Sequence, residues 1–429
     1  MKNRIDCFVA SVSDEQAQQT IEQLEAEPLV AAVHQVTDSF FTTHSLQQIA
    51  QKAQADYTLL YLKTWPLSLG FHALDRWLTV MDDSGAALSY ADHYTLAPDG
   101  TRARRPLIDY QTGSVRDDFA MGSLLLLRTS ELKAYFEQDD LHAYHHAGLY
   151  DLRLWMSRSS LPLHIDEFLY TEVETDLRTS GQKQFDYVDP RNRARQTEME
   201  RAATRHLRAI GAYLAPEEYD VVALPDRNRL ADDEPVMCSV VIPVRNRVRT
   251  IEDAVRSALS PQADFAYNVL VIDNGSTDGT TDVLRRLAAE DPRVVHIVPE
   301  RDDLGIGGCW NRAIHDPHCG RFAVQLDSDD LYSSPHTLSR IVDKFYEDDA
   351  AMVIGSYRMC DFQLQTLPPG LIDHKEWTDS NGRNNALRIN GLGAPRAFYT
   401  PVLRRLQIPN TSYGEDYALG LMISRRYRI

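Results

Sequence analysis

From Met237 onward, short β-branched runs alternate with amphipathic stretches, and this alternation restricts the possible folds more than any other feature of the chain. The runs CSVVIPV, NVLVIDN, VVHIV and FAVQLD are separated by IEDAVRSAL, by TTDVLRRLAAE and by a helix after Gly305. Strands spaced by helical stretches form βαβ units and a parallel sheet. In open sheets of this kind, ligands collect at the carboxyl ends of the strands. Pro243, Asp273 and Asp327 all fall at such ends.

The last of these runs leads directly into Asp327-Ser328-Asp329-Asp330. Carboxylates this close repel one another unless a cation or a solvated loop relieves them. Asp327 and Asp329, two residues apart, can turn to a common point and offer hard oxygen ligands to Mg²⁺ or Mn²⁺, with waters and phosphates completing the shell. The loop after Pro243, with Asn246, brings polar groups to where a planar base could lie. Asp273-Asn274, turning at Gly275, presents a carboxylate and an amide of the kind that reads a nucleobase or a ribose. Glu415-Asp416 opens a helix, EDYALGLMI, where acidic side chains also complement the helix dipole. Gly305, Gly307 and Gly308 lack phosphate-loop spacing, so close packing of a helix start is expected there. His142, His145 and His146 have no acidic partner at helical spacing and are expected on a polar helix surface rather than around a metal.

Taken in order, strand-Pro243, strand-Asp273, strand-Asp327-x-Asp329 and Glu415-Asp416 resemble the inverting glycosyltransferases of family 2, which have the GT-A fold, over about residues 237–429. The resemblance implies a nucleotide-sugar site formed by Pro243, Asn246, Asp273, Asn274 and Asp327. It also implies a divalent ion, Mn²⁺ or Mg²⁺, on Asp327 and Asp329. Asp416 becomes the base that deprotonates an acceptor hydroxyl, with Glu415 as its substitute. The implied partners are a UDP-, dTDP- or GDP-sugar and a hydroxyl-bearing glycan or lipid-linked acceptor, in polysaccharide or glycoconjugate synthesis. Two departures stand out: Asn274 where family members often have a second aspartate, and Trp310 where many have an arginine. They leave the nucleobase and one diphosphate contact open, and they motivate an alternative, a non-catalytic sugar- or protein-binding scaffold of the same fold. A nucleotidyltransferase would carry a Gly-rich, lysine-bearing loop after the first strand, and VRNRVRT has no glycine.

Residues 1–180 form a second α/β unit, with strands in IDCFVAS, YTLLYL, GSLLLL and LHIDEFLYTEV. A helical connector and linker is expected over 181–235, its narrow apolar stripe being Met199, Ala203, Leu207 and Ile210, and the catalytic module over 236–429. The halves resemble each other: YTLLYLKTWP with FAVQLDSDD, AMGSLLLLRTSEL with GLGAPRAFYTPVL, and YDLRLWMSR with EDYALGLMISR. This alignment sets Lys63 opposite Asp327 and Trp65 opposite Asp329. The expected fold is therefore α/β, with two GT-A-like (Rossmann-like) modules in tandem and mostly parallel central sheets flanked by helices. The first module lacks the metal motif and is expected to serve a structural or protein-contact role. The closing strand of the second copy is expected beyond Ile429, which makes this chain a C-terminally short form.

With 45 basic against 62 acidic residues, a net charge of −17 argues against a nucleic-acid binder, so a phosphate ligand needs local help. Five cysteines without a Cys-x-x-Cys pair argue against a disulfide framework or structural zinc. No apolar run reaches membrane-spanning length, which sets the expected location as cytoplasmic, with peripheral attachment at the inner face of a membrane left open.

Overall fold

The computed structural model describes residues 4–11, 14–173 and 192–429, divided between two compact units, Met1–Tyr213 and Leu214–Ile429. The first unit runs β1 (Ile5–Ala10), α1 (Asp14–Glu25), β2 (Val30–Val36), α2 (Thr43–Lys52), β3 (Tyr57–Tyr61), β4 (Leu67–Leu69), α3 (Ala73–Ser84), β5 (Leu88–Leu96), β6 (Arg102–Arg105), β7 (Leu124–Arg128), α4 (Thr129–Tyr135), α5 (Gly148–Met156), β8 (Leu163–Val173) and α6 (Arg193–Ala209). The second begins with β9 (Cys238–Val244), α7 (Ile251–Leu259), β10 (Tyr267–Asp273), α8 (Thr280–Glu290), β11 (Val294–Ile297), α9 (Ile306–Ile314) and β12 (Phe322–Gln325). It continues with α10 (Thr337–Asp348), β13 (Met352–Ile354), β14 (Tyr357–Cys360), β15 (Thr366–Ile372), α11 (Gly382–Asn385), β16 (Arg396–Tyr399), α12 (Thr400–Leu406) and α13 (Glu415–Ser424).

The second sheet has the order β11-β10-β9-β12-β16-β13. Its first four strands are parallel, and β16 runs antiparallel to both β12 and β13. Helices cover both faces, which is why β9 and β10 read as continuous apolar runs rather than alternating ones. Val240 and Ile242 pack with residues of α7, α8 and α10, whereas Val241 packs with residues of α9, α12 and α13. Burying one such side chain contributes about 1.5–3 kcal/mol. Because β16 is antiparallel, its first residue, Arg396, lies at the same edge as the carboxyl ends of β9, β10 and β12.

The first sheet has the order β2-β1-β3-β7-β5-β8-β4, with β6 on β5. Its segment β2-β1-β3-β7-β5 repeats the order and strand directions of β10-β9-β12-β16-β13. The ladders also agree in register. Tyr57 pairs with Ile5 and Arg128, Phe322 pairs with Cys238 and Tyr399, and α4 and α12 each start at the next residue. This equates Tyr57 with Phe322 and corrects the sequence alignment by one position: Leu62 and Thr64, not Lys63 and Trp65, stand opposite Asp327 and Asp329. A one-residue slip exchanges the faces of a strand, and YTLLYL is too uniformly apolar to mark its faces. Lys63 is instead buried, its Nζ 2.6 Å from Glu172 Oε1 on β8.

The segment expected to connect the modules divides between them, its residues 181–191 lying outside those described. In α6, Met199, Ala203 and Leu207 are buried against α5, and Arg205 pairs with Asp151, while Ile210 is 41% exposed. Residues 214–235 belong to the second unit, where the fully buried Arg321 pairs with Glu234 at 2.6 Å and donates to the carbonyls of Asp226 and Arg229. His142, His145 and His146 lie in a loop before α5, not on a helix. The Glu198 carboxylate accepts the N–H groups of His145, His146 and Ala147, fixing that loop. No helix among the described residues is long and apolar enough to cross a membrane.

Candidate active site

Four strand ends meet at one edge of the second sheet, and each loop there is held by its own polar contacts. Asn246 adopts a φ of +55°, a region asparagine tolerates better than most residues. Its N–H donates to Ser276 Oγ at 3.0 Å and its Oδ1 accepts from the Thr277 N–H at 2.8 Å, joining the loops after β9 and β10. Pro243, half-buried, lies opposite Ile272 in the ladder.

Asp273, expected as a base-reading carboxylate, lies at the carboxyl end of β10. It is 1% exposed and accepts from the Ser276 N–H at 3.2 Å and Thr281 Oγ1 at 2.6 Å, with His296 Nε2 at 3.3 Å. Burial pushes its carboxyl up, but these hydrogen bonds outweigh burial and hold it below the ordinary range. The turn at Gly275, with φ of +68°, folds the Ser276 N–H back onto it. Asp273 is thus committed to bracing its loop. Asn274, half-buried, donates through Nδ2 to the Leu304 carbonyl at 2.8 Å, and its Oδ1 has no partner among the described residues.

The Asp330 N–H donates to the Asp327 carbonyl at 3.1 Å and closes a turn that leaves the Asp327 and Asp329 side chains exposed. Asp327 Oδ1 accepts from Gln325 Nε2 at 2.9 Å. Arg247 Nε lies 3.7 Å from Asp329 Oδ2, in an open pair that contributes little energy by itself. Asp330 keeps an edge to solvent, but crowding by protein atoms, followed by the charges of Asp327 and Asp329, pushes its carboxyl up to about 6. Negative charge is therefore in excess at this turn. The donors are hard oxygens, as a divalent cation of the Mg²⁺ or Mn²⁺ type requires. Among the described residues no group of three or more His, Cys, Asp or Glu side chains is placed to cage a metal. The fit is thus to an ion held by one or two carboxylates plus phosphate and water. Arg245, Arg247 and Arg249, all exposed, add positive charge at the end of β9.

Across the edge, α13 begins after Gly414, whose φ is +79°. Glu415 is 9% exposed and its Oε2 is buried without a partner among the described residues. Burial, followed by the charge of Asp416 and then that of Asp327, pushes its carboxyl up against the opposing effects of its own N–H and of Arg396. Asp416 is more open: Oδ2 accepts from Arg396 Nη1 at 2.7 Å and Oδ1 from the Tyr417 N–H at 2.7 Å. The start of α13 is positioned by α9. A Cβ on Gly305, Gly307 or Gly308 would collide with Thr411, Pro409 or Asn410, so these glycines serve helix packing, as expected. Trp310 is buried edge-on to Phe398 at 5.7 Å between ring centroids, which makes it a core residue.

Arg247, Arg396 and His374 escaped the sequence reading. His374 is 5% exposed, neither ring nitrogen has a partner among the described residues, and its ring occupies the space of a Cβ on Gly393. Burial, followed by the positive charge of Arg396, pushes its pKa down to about 4. No spacing rule links residues 374, 396 and 416, which come together only through the tertiary fold. The available signal was a charged residue opening the apolar strand RAFY.

Residues 239–399 match the family model described as Glycosyl transferase family 2, a span that holds the acidic turn and ends before Glu415. The glycosyltransferase AglD of Haloferax volcanii is 35% identical over 130 residues, 29% of this chain and 20% of that protein. The succinoglycan biosynthesis protein ExoU of Rhizobium meliloti is 30% identical over 216 residues, 46% of this chain and 60% of that protein. Among solved structures, the mannosyltransferase PcManGT from Pyrobaculum calidifontis, in complex with GDP-Man and Mn²⁺, covers 56% of this chain and 64% of its own, with a TM-score of 0.35 and 20% identity. The chain spans less than two thirds of the length of each of these proteins. Residues 239–399 are a glycosyl transferase family 2 domain.

Proposed function

We propose that the second unit is a metal-dependent, inverting glycosyltransferase, which moves a sugar from a UDP-, dTDP- or GDP-sugar to a hydroxyl of a glycan or lipid-linked acceptor. The observation that carries this reading is the meeting, at one sheet edge, of the exposed Asp327-x-Asp329 turn with the acidic start of α13, coupled through the charges of Asp327 and Glu415. Polysaccharide or glycoconjugate synthesis as the setting is supported by the printed role of the Rhizobium relative.

In this reading Asp327 and Asp329 hold Mn²⁺ or Mg²⁺, which when bound neutralises charge developing on the departing diphosphate. Arg247, beside Asp329, faces the phosphates, and Asn274 offers its free Oδ1 to the base. Asp416, oriented by Arg396, accepts the proton of the acceptor hydroxyl as that oxygen bonds to the anomeric carbon. The bond to the diphosphate breaks on the opposite side, so a single displacement inverts the configuration. Glu415, more enclosed, shapes the field around Asp416 and is the substitute base. The first unit, which has Leu62 and Thr64 where the second has its carboxylates, is a degenerate module of the same shape with a structural or protein-contact role.

The test is release of nucleoside diphosphate from a panel of nucleotide sugars with oligosaccharide acceptors, with Mn²⁺ or EDTA, followed by NMR assignment of the product anomer. Retained configuration, or equal release by Asp329→Ala, would sink the assignment.

A further inference from the structure

The first unit keeps a cavity in the place of the second unit's acidic edge, with its chemistry reversed. The register that equates Tyr57 with Phe322 and Arg128 with Tyr399 also sets Leu62 at the position of Asp327 and Leu125 at that of Arg396. α5 and α13 match over their buried residues, Gly148, Leu152 and Met156 against Glu415, Leu419 and Ile423, which sets Leu149 at the position of Asp416. Three charged groups are thus replaced by three leucines. All three line one cavity of about 160 Å³, together with Phe119, Met121 and Arg153. Lys63 brings no charge to this space, because its ammonium is held by Glu172, which also accepts from Ser123.

Size and charge define the ligand. An apolar cavity of about 150 Å³ accommodates one benzene ring. Arg153 is 7% exposed, and its Nη2 donates to the Arg116 carbonyl at 2.8 Å, but its Nε has no partner among the described residues. No carboxylate pairs with it among the described residues. The other charged residues of the lining are Asp117 and Arg195. The Arg153 guanidinium lies over the rings of Tyr150, Phe119 and Tyr110 at 4.9, 5.8 and 5.9 Å, which stabilise the cation but supply no anionic hydrogen-bond acceptor.

We propose that this cavity binds a small amphiphilic anion, with a single ring or branched-alkyl body against Leu62, Leu125 and Leu149 and one carboxylate or phosphate on Arg153. The cleft of the first module has become a ligand pocket, and its occupancy does not depend on catalysis in the second unit. The experiment is calorimetry and thermal shift of the full chain with phenylphosphate, phenylacetate, benzyl alcohol and inorganic phosphate. The two aryl anions separate a phosphate from a carboxylate ligand. At least one of them is expected to raise Tm, with benzyl alcohol at least tenfold weaker and inorganic phosphate without effect. Leu149→Trp is expected to abolish the shift, Arg153→Met to remove the preference for the anion, and Asp329→Ala to retain it. Leu62→Trp fills the same cavity from the strand end and carries the test should Leu149→Trp not fold. The proposal is overturned by no shift with either aryl anion, by a shift that survives the cavity-filling variant, or by its loss in Asp329→Ala.

Discussion

Lowering the pH from 7.5 to 5.5 should destabilise the second unit by about 1.4 kcal/mol through His374 alone. The folded pKa is depressed from an ordinary 6.5 to about 4, by burial first and by Arg396 second, with Asp373 opposing. A depressed folded pKa means that the unfolded chain takes up the proton first. The stabilisation is therefore complete above about pH 6.5 and is lost as the pH falls toward about 4. Over the proposed interval the unfolded state gains about one unit of protonation free energy, at about 1.36 kcal/mol per unit, while the buried ring stays neutral. His374 has a φ of 50°, which asparagine tolerates, so His374→Asn removes the ionisable ring without adding backbone strain. Hydrogen exchange of amides in β9, β12 and β16, corrected for intrinsic rates at each pH, gives the opening free energies. Carboxylates common to both proteins cancel in the difference of differences. A wild-type drop that exceeds the variant's by less than about 0.3 kcal/mol would refute the reasoning, since that is the scatter expected of independent sites.

Asp416→Asn should lower sugar transfer about 10²–10⁴-fold while nucleotide-sugar binding persists, as steady-state kinetics and calorimetry on the same sample would report. Loss of binding together with rate would instead make Asp416 part of the donor site. Lys63→Met takes the ammonium from Glu172 at 5% side-chain exposure, leaving it only Ser123 and His93 among the described residues, and should cost the first unit about 3 kcal/mol in denaturant titration, a cost that a merely solvated pair would not show. Gly307→Ala forces a Cβ onto the Pro409 carbonyl and should destabilise the second unit by about 1–3 kcal/mol. Because the displaced loop leads into α13, turnover should fall even at temperatures where the variant stays folded.

Elements whose side chains carry the pattern themselves were legible in the sequence. CSVVIPV and IEDAVRSAL are bounded at the residues the pattern marks, because the first is buried on both faces and the second on a single stripe. The two-module architecture was also legible, from three short resemblances in the same order, but its register was not. A run of leucines carries no marker for which face is which, and only the pairing of Tyr57 with Arg128 separates Leu62 from Lys63 at the Asp327 position. The residues proposed as metal ligands, Asp327 and Asp329, are marked by local spacing. Arg396 and His374 are not, because antiparallel β16 brings Arg396 to Asp416 and the His374 ring packs on Gly393, each across long stretches of chain. Asp273 illustrates the reverse case: it lies at the strand end the sequence marks, but burial and the Gly275 turn commit its oxygens to the protein.

If Asp327 and Asp329 complete a metal–diphosphate site, calorimetric titration of UDP, dTDP and GDP into the wild type and Asp329→Ala, each with and without Mn²⁺, should reveal it. One nucleotide is expected to bind the wild type only with Mn²⁺ and to bind the variant at least tenfold more weakly. Binding that ignores Mn²⁺, or that is equal in the two proteins, would contradict the site assignment.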